Sequence, residues 1–277
     1  MKKTWALLLA ALLLTGLVPA AMAAEGGTLR FGTDAEPIGF DPHTISAVAS
    51  LRVMSQVYNT LVDVDENLNV VPELAESWEQ PDDVTYIFHL RDDVKFHNGR
   101  AMTAEDVKYS FDRGLMYNDP HGPFWMYGQV LIPDYYNYGM ATFTDAGVMQ
   151  PEITQAMCDA AIWVVDSNTV QFNLTQPYPA FLSTLAFNAG SIVSKSYVEA
   201  NGGLSKNGYT FMSTHMMGTG PLVLGDFATD AYFNLDRNDN YWREPAALAH
   251  VIISQVPEVG TRILQLQNGD VDAAAIP

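Results

Sequence analysis

The chain has 277 residues, 48% of them hydrophobic and 17% charged, with 32 acidic against 14 basic side chains and a formal net charge of −18. So acidic a surface repels phosphate backbones and anionic headgroups, which argues against nucleic acid and membrane surfaces as partners. A chain of this size builds its core without disulfides, and its single cysteine, Cys158, has no intrachain partner.

Lys2 and Lys3 precede an apolar run from Ala6 to Leu14, which gives way through Gly16 and Pro19 to Ala21-Met22-Ala23. A basic head, a short apolar middle and an A-x-A end make a secretory signal peptide over residues 1–23, with a mature start at Ala24. The apolar run is shorter than the roughly 20 residues a bilayer span requires, so no direct membrane insertion is expected. No cysteine near the cut offers a site for a lipid. Losing Lys2 and Lys3 leaves 12 basic residues against 32 acidic and a net charge of −20. The acids are spread along the chain, as a solvating surface would have them.

Leu29 and Phe31 share one face of a short strand within residues 26–33. A loop with Pro37, Gly39 and Pro42 follows, and then Val53, Met54, Val57, Tyr58 and Leu61 fall at helical spacing. Around residue 85 the period changes: Tyr86, Phe88 and Leu90 alternate with Thr85, Ile87 and His89, and Val94 and Phe96 continue the pattern to a turn at His97-Asn98-Gly99-Arg100. Thr103 is the N-cap of the next helix, with Asp106 at N3 and Met102 and Val107 as its hydrophobic staple. Val107 and Phe111 mark the buried face of that helix, and Gly114 its C-terminal stop.

Residues 116–157 read as an irregular insertion rich in Tyr, Gly, Pro and Met, too aromatic for disorder. Residues 162–174 read as a hairpin turning at Asp166-Ser167-Asn168. Pro179 opens a short helix through Leu185. Strands follow around 232–236, where Phe233 and Leu235 alternate with polar residues, and at Val251-Ile252-Ile253. A last helix carries Ile263, Leu264 and Leu266 and ends at Asn268-Gly269. Strands and helices mix without a strict βαβ rhythm, so the fold class is mixed α and β.

Motifs for catalysis are sparse. Gly218-Thr219-Gly220 has Val223 in the sixth place and no following Lys-Ser/Thr, so it is a Gly-Thr-Gly-Pro turn into a strand and not a phosphate loop. There is no G-x-S-x-G. His43, His89, His97, His121, His215 and His250 show no metal-binding spacing. Met157-Cys158-Asp159 offers no neighbouring base to make a thiolate. No catalytic residue, metal or cofactor is indicated.

Several ordered blocks nevertheless carry a resemblance. They are Phe40-Asp41-Pro42-His43, Leu74-Ala75-Glu76-Ser77-Trp78, the run from Thr85 to Gly99, and the run from Thr103 to Phe111. Gly218-Thr219-Gly220-Pro221, Asn238-Asp239-Asn240-Tyr241-Trp242 and the run from Arg262 to Asp272 follow in order. Together they resemble the extracellular solute-binding proteins of family 5, the oligopeptide, dipeptide and nickel receptors of ABC importers. The resemblance implies a periplasmic binding protein-like fold of the type II, or cluster C, class, in which two lobes close over a ligand.

Mapped on this chain, subdomain Ia of lobe I would be residues 24–58 with 194–272, and subdomain Ib residues 59–193. Residues 273–277 would begin the hinge. The second lobe and the return of the chain to Ia are expected after Asp272, so this sequence reads as a truncated form. The resemblance also implies an exported periplasmic protein, not lipidated, that is a monomer, takes a peptide or other small-molecule ligand and meets an inner-membrane ABC permease.

In peptide-binding members the segment after the Asp-Pro-His block lends backbone groups to an extended ligand; the matching residues are Ser46, Ala47 and Val48. A second family contact is an aromatic residue after an Asn/Ser-Pro step. Here Asp119-Pro120 leads to His121, not Tyr, with Trp125 and Tyr127 close behind. That departure counts against a strict peptide preference. Two alternatives stay open: a secreted enzyme on the same scaffold, and a sensory receptor for a small solute.

Overall fold

The structure, a computed structural model, describes residues 26–276. The signal peptide and the mature start at Ala24 lie outside the described residues.

Two sheets organise the chain. The first strand, β1 (Thr28–Thr33), does not pair with its sequence neighbours. It lies parallel between β12 (His250–Gln255) and β13 (Ala273–Ala274). β10 (Leu222–Ala228) and β11 (Tyr232–Arg237) extend the sheet antiparallel on the far side of β12, giving the order β10-β11-β12-β1-β13. Phe233 and Leu235 point to the buried face, as their alternation requires. On the exposed side, Arg30 grips the Asp272 carboxylate at 2.9 Å and ties β1 to the start of β13.

The second sheet is four-stranded and antiparallel, built of two hairpins. Its order is β4 (Ala75–Glu79), β5 (Thr85–Leu90), β9 (Thr169–Asn173), β8 (Ile162–Asp166). Tyr86 sits opposite Phe172 and Phe88 opposite Val170, all buried. Helix α2 (Ala104–Tyr117) covers this face, with the Phe111 and Phe172 rings edge to face at 4.9 Å. Its start follows the capping pattern. The Thr103 N–H donates to the Asp106 carboxylate at 2.9 Å, and Met102 and Val107 are buried. Arg100 and the Lys195 backbone N–H also bond Asp106, so this cap joins distant parts of the chain.

The elements differ from the sequence reading in four places. Helix α2 does not stop at Gly114. It runs to Tyr117 and ends on Asn118, whose left-handed backbone (φ 43°) and carboxamide bonds to the Tyr138 and Gly139 carbonyls do the work expected of glycine. Gly114 is there for space, because a Cβ would lie 2.4 Å from the Phe124 ring. The 116–157 stretch is largely folded. It contains α3 (Trp125–Leu131), a 3-10 turn at Tyr135–Asn137, a small hairpin of β6 (Thr142–Phe143) with β7 (Met149–Gln150), and α4 (Gln155–Ala161). β5 ends at Leu90, leaving Val94 and Phe96 buried in the turn beyond it. The first helix, α1 (Val48–Val57), ends before Leu61, which is buried ahead of β2 (Val62–Val64) and its partner β3 (Val70–Pro72).

α5 (Phe181–Leu185), α6 (Lys195–Ala200) and α7 (Lys206–Met212) lead to the Gly218–Pro221 turn and into β10. The turn packs backbone to backbone on the end of α1. A Cβ on Gly218 would lie 2.0 Å from the Val57 carbonyl oxygen. The Thr219 hydroxyl donates to Asn59 at 2.8 Å, and Asn59 donates to the buried Glu73 carboxylate at 2.7 Å. The last helix, α8 (Val259–Asn268), ends at Gly269 with φ 77°. Its buried Arg262 donates to the carbonyls of Ala275, Val256 and Pro257.

Gly114→Ala tests the packing account. A methyl group there must displace the Phe124 ring or the helix, and such overpacking costs roughly 1–3 kcal/mol. A thermal melt should show clear destabilisation. An unchanged midpoint would mean that the ring moves freely.

Candidate functional site

Helix α1 begins without a cap. Ala47 is extended (φ −65°, ψ 131°) and has no side chain to accept a hydrogen bond, and the first turn carries no acid. Ser46 and Val48 are exposed, Val48 at 65%. The backbone N–H groups of Ser46, Ala47 and Val48 have no hydrogen-bond partner among the described residues. Free donors in an exposed, extended segment are what an added peptide strand would use.

The loop before α3 lies against this segment. The Ser46 hydroxyl donates to the His121 carbonyl at 3.4 Å. Gly122 makes the approach possible, since a Cβ there would lie 2.9 Å from the Thr44 Cα and 3.0 Å from the His43 carbonyl oxygen. Asp119 shapes the loop, accepting from the His121 N–H at 2.9 Å and from the Tyr209 hydroxyl at 2.7 Å. The His121 side chain is 90% exposed and Trp125 is 48% exposed.

The structure thus brings Ser46 and His121 into contact, with Ala47, Val48 and Trp125 on the adjoining stretches of chain. Tyr127 does not join them. It is fully buried, its ring packs edge to face on Phe111 and Phe124, and its hydroxyl donates to the Thr184 carbonyl at 2.9 Å. Two residues along a helix from Trp125, its side chain points inward, so it supports the surface from below.

Beneath the surface lies a buried ionic group that the sequence reading missed. Arg113, on α2, has no exposed surface. Its guanidinium forks onto both oxygens of Asp41, at 2.8 Å for one and in a shorter contact for the other, and donates to Nδ1 of His43 at 2.9 Å. With Nδ1 accepting, the proton lies on Nε2, which donates to the Ser191 carbonyl at 3.0 Å. The guanidinium also lies 4.8 Å from the centre of the Tyr117 ring. The available signal was the stripe Tyr109, Arg113, Tyr117 at four-residue spacing on a helix buried nearly all round.

Burial pushes Asp41 towards its neutral form, but Arg113 outweighs this and holds its carboxyl below the usual range. His43 responds the other way. Burial first, and then the Arg113 charge, push it down to about 4 against a partial opposing pull from Asp41. The site therefore holds one ion pair and a neutral imidazole. Elsewhere, burial pushes the Cys158 thiol up to about 12, which makes it a core side chain and not a nucleophile.

A hollow of about 460 Å³ lies between α1 and the five-stranded sheet, lined by Phe31, Val53, Leu222, Leu235 and Ile253 with Arg52 among the lining residues. It has none of the free backbone groups of the Ser46–Val48 segment.

Comparison with known proteins places this architecture. Residues 69–277 match the family described as bacterial extracellular solute-binding proteins, family 5 Middle. The chain is 33% identical over 267 residues to a heme-binding protein A of Haemophilus influenzae, covering 93% of this chain and 45% of that protein. It is 31% identical over 267 residues to the dipeptide-binding protein of Escherichia coli, covering 93% of this chain and 46% of that one. A solved structure of the periplasmic binding protein DppA from Helicobacter pylori, in complex with the peptide STSA, superposes with a TM-score of 0.67 at 27% identity. That match covers 90% of this chain and 46% of the other.

The chain belongs to the bacterial extracellular solute-binding proteins of family 5. Its mixed α and β fold is that of periplasmic binding proteins, and it spans less than half the length of the relatives it matches. Among the described residues, no helix is long and apolar enough to cross a membrane.

The buried imidazole gives a pH prediction. His43 takes up its proton more readily in the unfolded chain than in the folded one. Its contribution to stability is complete above about pH 6.5 and is lost as the pH falls towards about 4. A His43→Asn protein lacks that titration. Between pH 7 and pH 4.5 it should lose roughly 2–3 kcal/mol less unfolding free energy than the parent, measured by urea denaturation. Parallel losses would contradict the assignment.

Proposed function

We propose that this chain is the ligand-capturing first part of a solute receptor for an ABC importer, exported to the periplasm by its signal peptide, and that it enzymatically transforms nothing. The observation that carries this reading is the exposed Ser46–Val48 segment, whose backbone donors are free beside the His121–Trp125 loop. Pairing with backbone groups holds an extended ligand whatever its side chains. Membership of a family whose relatives include dipeptide-binding and heme-binding proteins supports a receptor role. A neighbour solved with a bound peptide supports the peptide-like class.

The proposal includes the division of the chain. Subdomain Ia is residues 24–58 with 194–272, which is consistent with the pairing of β1 with β12. Subdomain Ib is residues 59–193, which hold the whole four-stranded sheet. The relatives are about twice as long, and the remaining length would supply the opposing lobe, with the ligand enclosed between them and delivered to a membrane permease. Ser46, Ala47, Val48, His121 and Trp125 form this lobe's share of the site.

Enclosure strips water from both faces of a ligand and strengthens each polar contact. One face alone should bind short peptides no better than about millimolar, or roughly 4 kcal/mol. Calorimetry on residues 24–277 and on a protein of the relatives' full length should show far tighter binding by the latter. In the longer protein Trp125→Ala should weaken binding more than Tyr86→Ala, because Tyr86 is buried in the sheet core. Tight binding by residues 24–277 alone would refute the shared site. Binding of another solute class with no peptide binding would keep the receptor role and refute the peptide-like class.

A further inference from the structure

We infer that Arg113, Asp41 and His43 act as a positioning unit that holds the Ser46–Val48 segment and the His121–Trp125 loop in one ligand-facing arrangement, an inference that rests on the reading of that surface as the ligand face. Both halves of the surface stand on this cluster. On one side, the Asp41 carbonyl accepts from Thr44 and Ile45 at 3.2 and 3.0 Å, while its carboxylate accepts from the His43 N–H at 3.1 Å. Asp41 thereby fixes the turn that delivers Ser46. On the other side, His43 packs edge to face on Phe124, at 5.2 Å between ring centres, immediately before Trp125. The His43 carbonyl and the Thr44 backbone are the atoms against which Gly122 is pressed.

The cluster is a costly way to achieve stability alone. Asp41, His43 and Arg113 are all at most 1% exposed, and a well-packed apolar trio of similar volume commonly does as well as a buried ion pair. What the ionic group adds is direction. A guanidinium fork donates to a carboxylate in one plane, and a further N–H of the Nη1 that bonds Asp41 fixes the imidazole tautomer and hence the line to Ser191. Four elements meet in that geometry: the 41–45 turn, α2, the 3-10 turn at Asn188–Gly190 that precedes Ser191, and the residue before α3. The arrangement of the two surface segments follows from it.

Three substitutions at His43 separate this role from simple packing. In His43→Asn the amide oxygen takes the place of Nδ1 and can still accept from Arg113. In His43→Gln the amide nitrogen takes the place of Nε2 and can still donate to Ser191. His43→Phe keeps the ring packing and neither polar contact. Two readouts are taken on the intact gene product: amide exchange at Ile45 and Leu51 relative to Phe88 and Phe172, and trialanine affinity by calorimetry.

His43→Phe and His43→Gln should speed exchange at Ile45 and Leu51 by about tenfold or more while the strand amides hold, and weaken trialanine binding to a similar degree. His43→Asn, which keeps the contact with Arg113, should show the smallest change in both. Equal effects from all three substitutions, spread over every amide in step with the melting temperature, would overturn the positioning role. Local exchange that changes without any change in trialanine affinity, or in a parent that binds no trialanine, would leave the mechanical role standing and overturn the ligand-face reading.

Discussion

A guanidinium with no exposed surface must find its counter-charge where it lies, and that requirement fixes the position of Asp41 against α2. The consequences spread from there. Asp41 sets the turn before α1, His43 accepts a further guanidinium N–H, and the loop leading to α3 closes down on His43 through a glycine that leaves no room for slack. Removing one partner would strand a buried charge, which costs far more than the pair contributes in balance. The arrangement therefore tolerates little drift, and a surface built over it inherits the same constraint.

A second polar joint links the two sheets. Asn59 lies just after α1, Glu73 just before β4, and Thr219 in the turn that opens β10. Burial pushes the Glu73 carboxyl up, while hydrogen bonds from Thr60 and Asn59 oppose that push. Nearby, the guanidinium groups of Arg91 and Arg243 each lie over the Trp242 ring, at 4.9 and 4.3 Å. The Asn238 side chain donates to the Gly220 carbonyl. The blocks by which the family is recognised in sequence, among them Gly218–Pro221 and Asn238–Trp242, are thus largely joints of the scaffold. The exposed residues of the proposed ligand face, such as His121, lie outside those blocks.

Local signals made much of the fold legible. Alternation gave Tyr86, Phe88 and Leu90 the correct face, the Thr103/Asp106 pair marked the start of α2, and Asn268-Gly269 its counterpart at the end of α8. Each of these depends on neighbours within a turn or two. Gly114 was misread because its reason is a ring ten residues away, and helix-stopping glycine and space-making glycine look alike in sequence. The burial of Tyr127 is not legible because two positions along a helix reverse the direction of a side chain, and the register of α3 is not visible in an aromatic-rich stretch. Arg113 stayed hidden because its partner is 72 residues away. The pairing of β1 with β12 and β13 was not legible, since no local pattern encodes it; the family resemblance only grouped residues 24–58 with 194–272.

The claim that most needs a direct test is that the ligand meets this chain at the Ser46–Val48 segment and the facing loop. Backbone amide shifts followed by NMR during titration with a tripeptide would map the contact residue by residue. The account predicts that the largest shifts fall on Ser46, Ala47, Val48 and the His121–Trp125 loop, with smaller changes at Phe124 and Tyr127 below. Shifts concentrated instead around Phe31, Val53, Leu235 and Ile253 would place the ligand in the apolar hollow under α1 and contradict it.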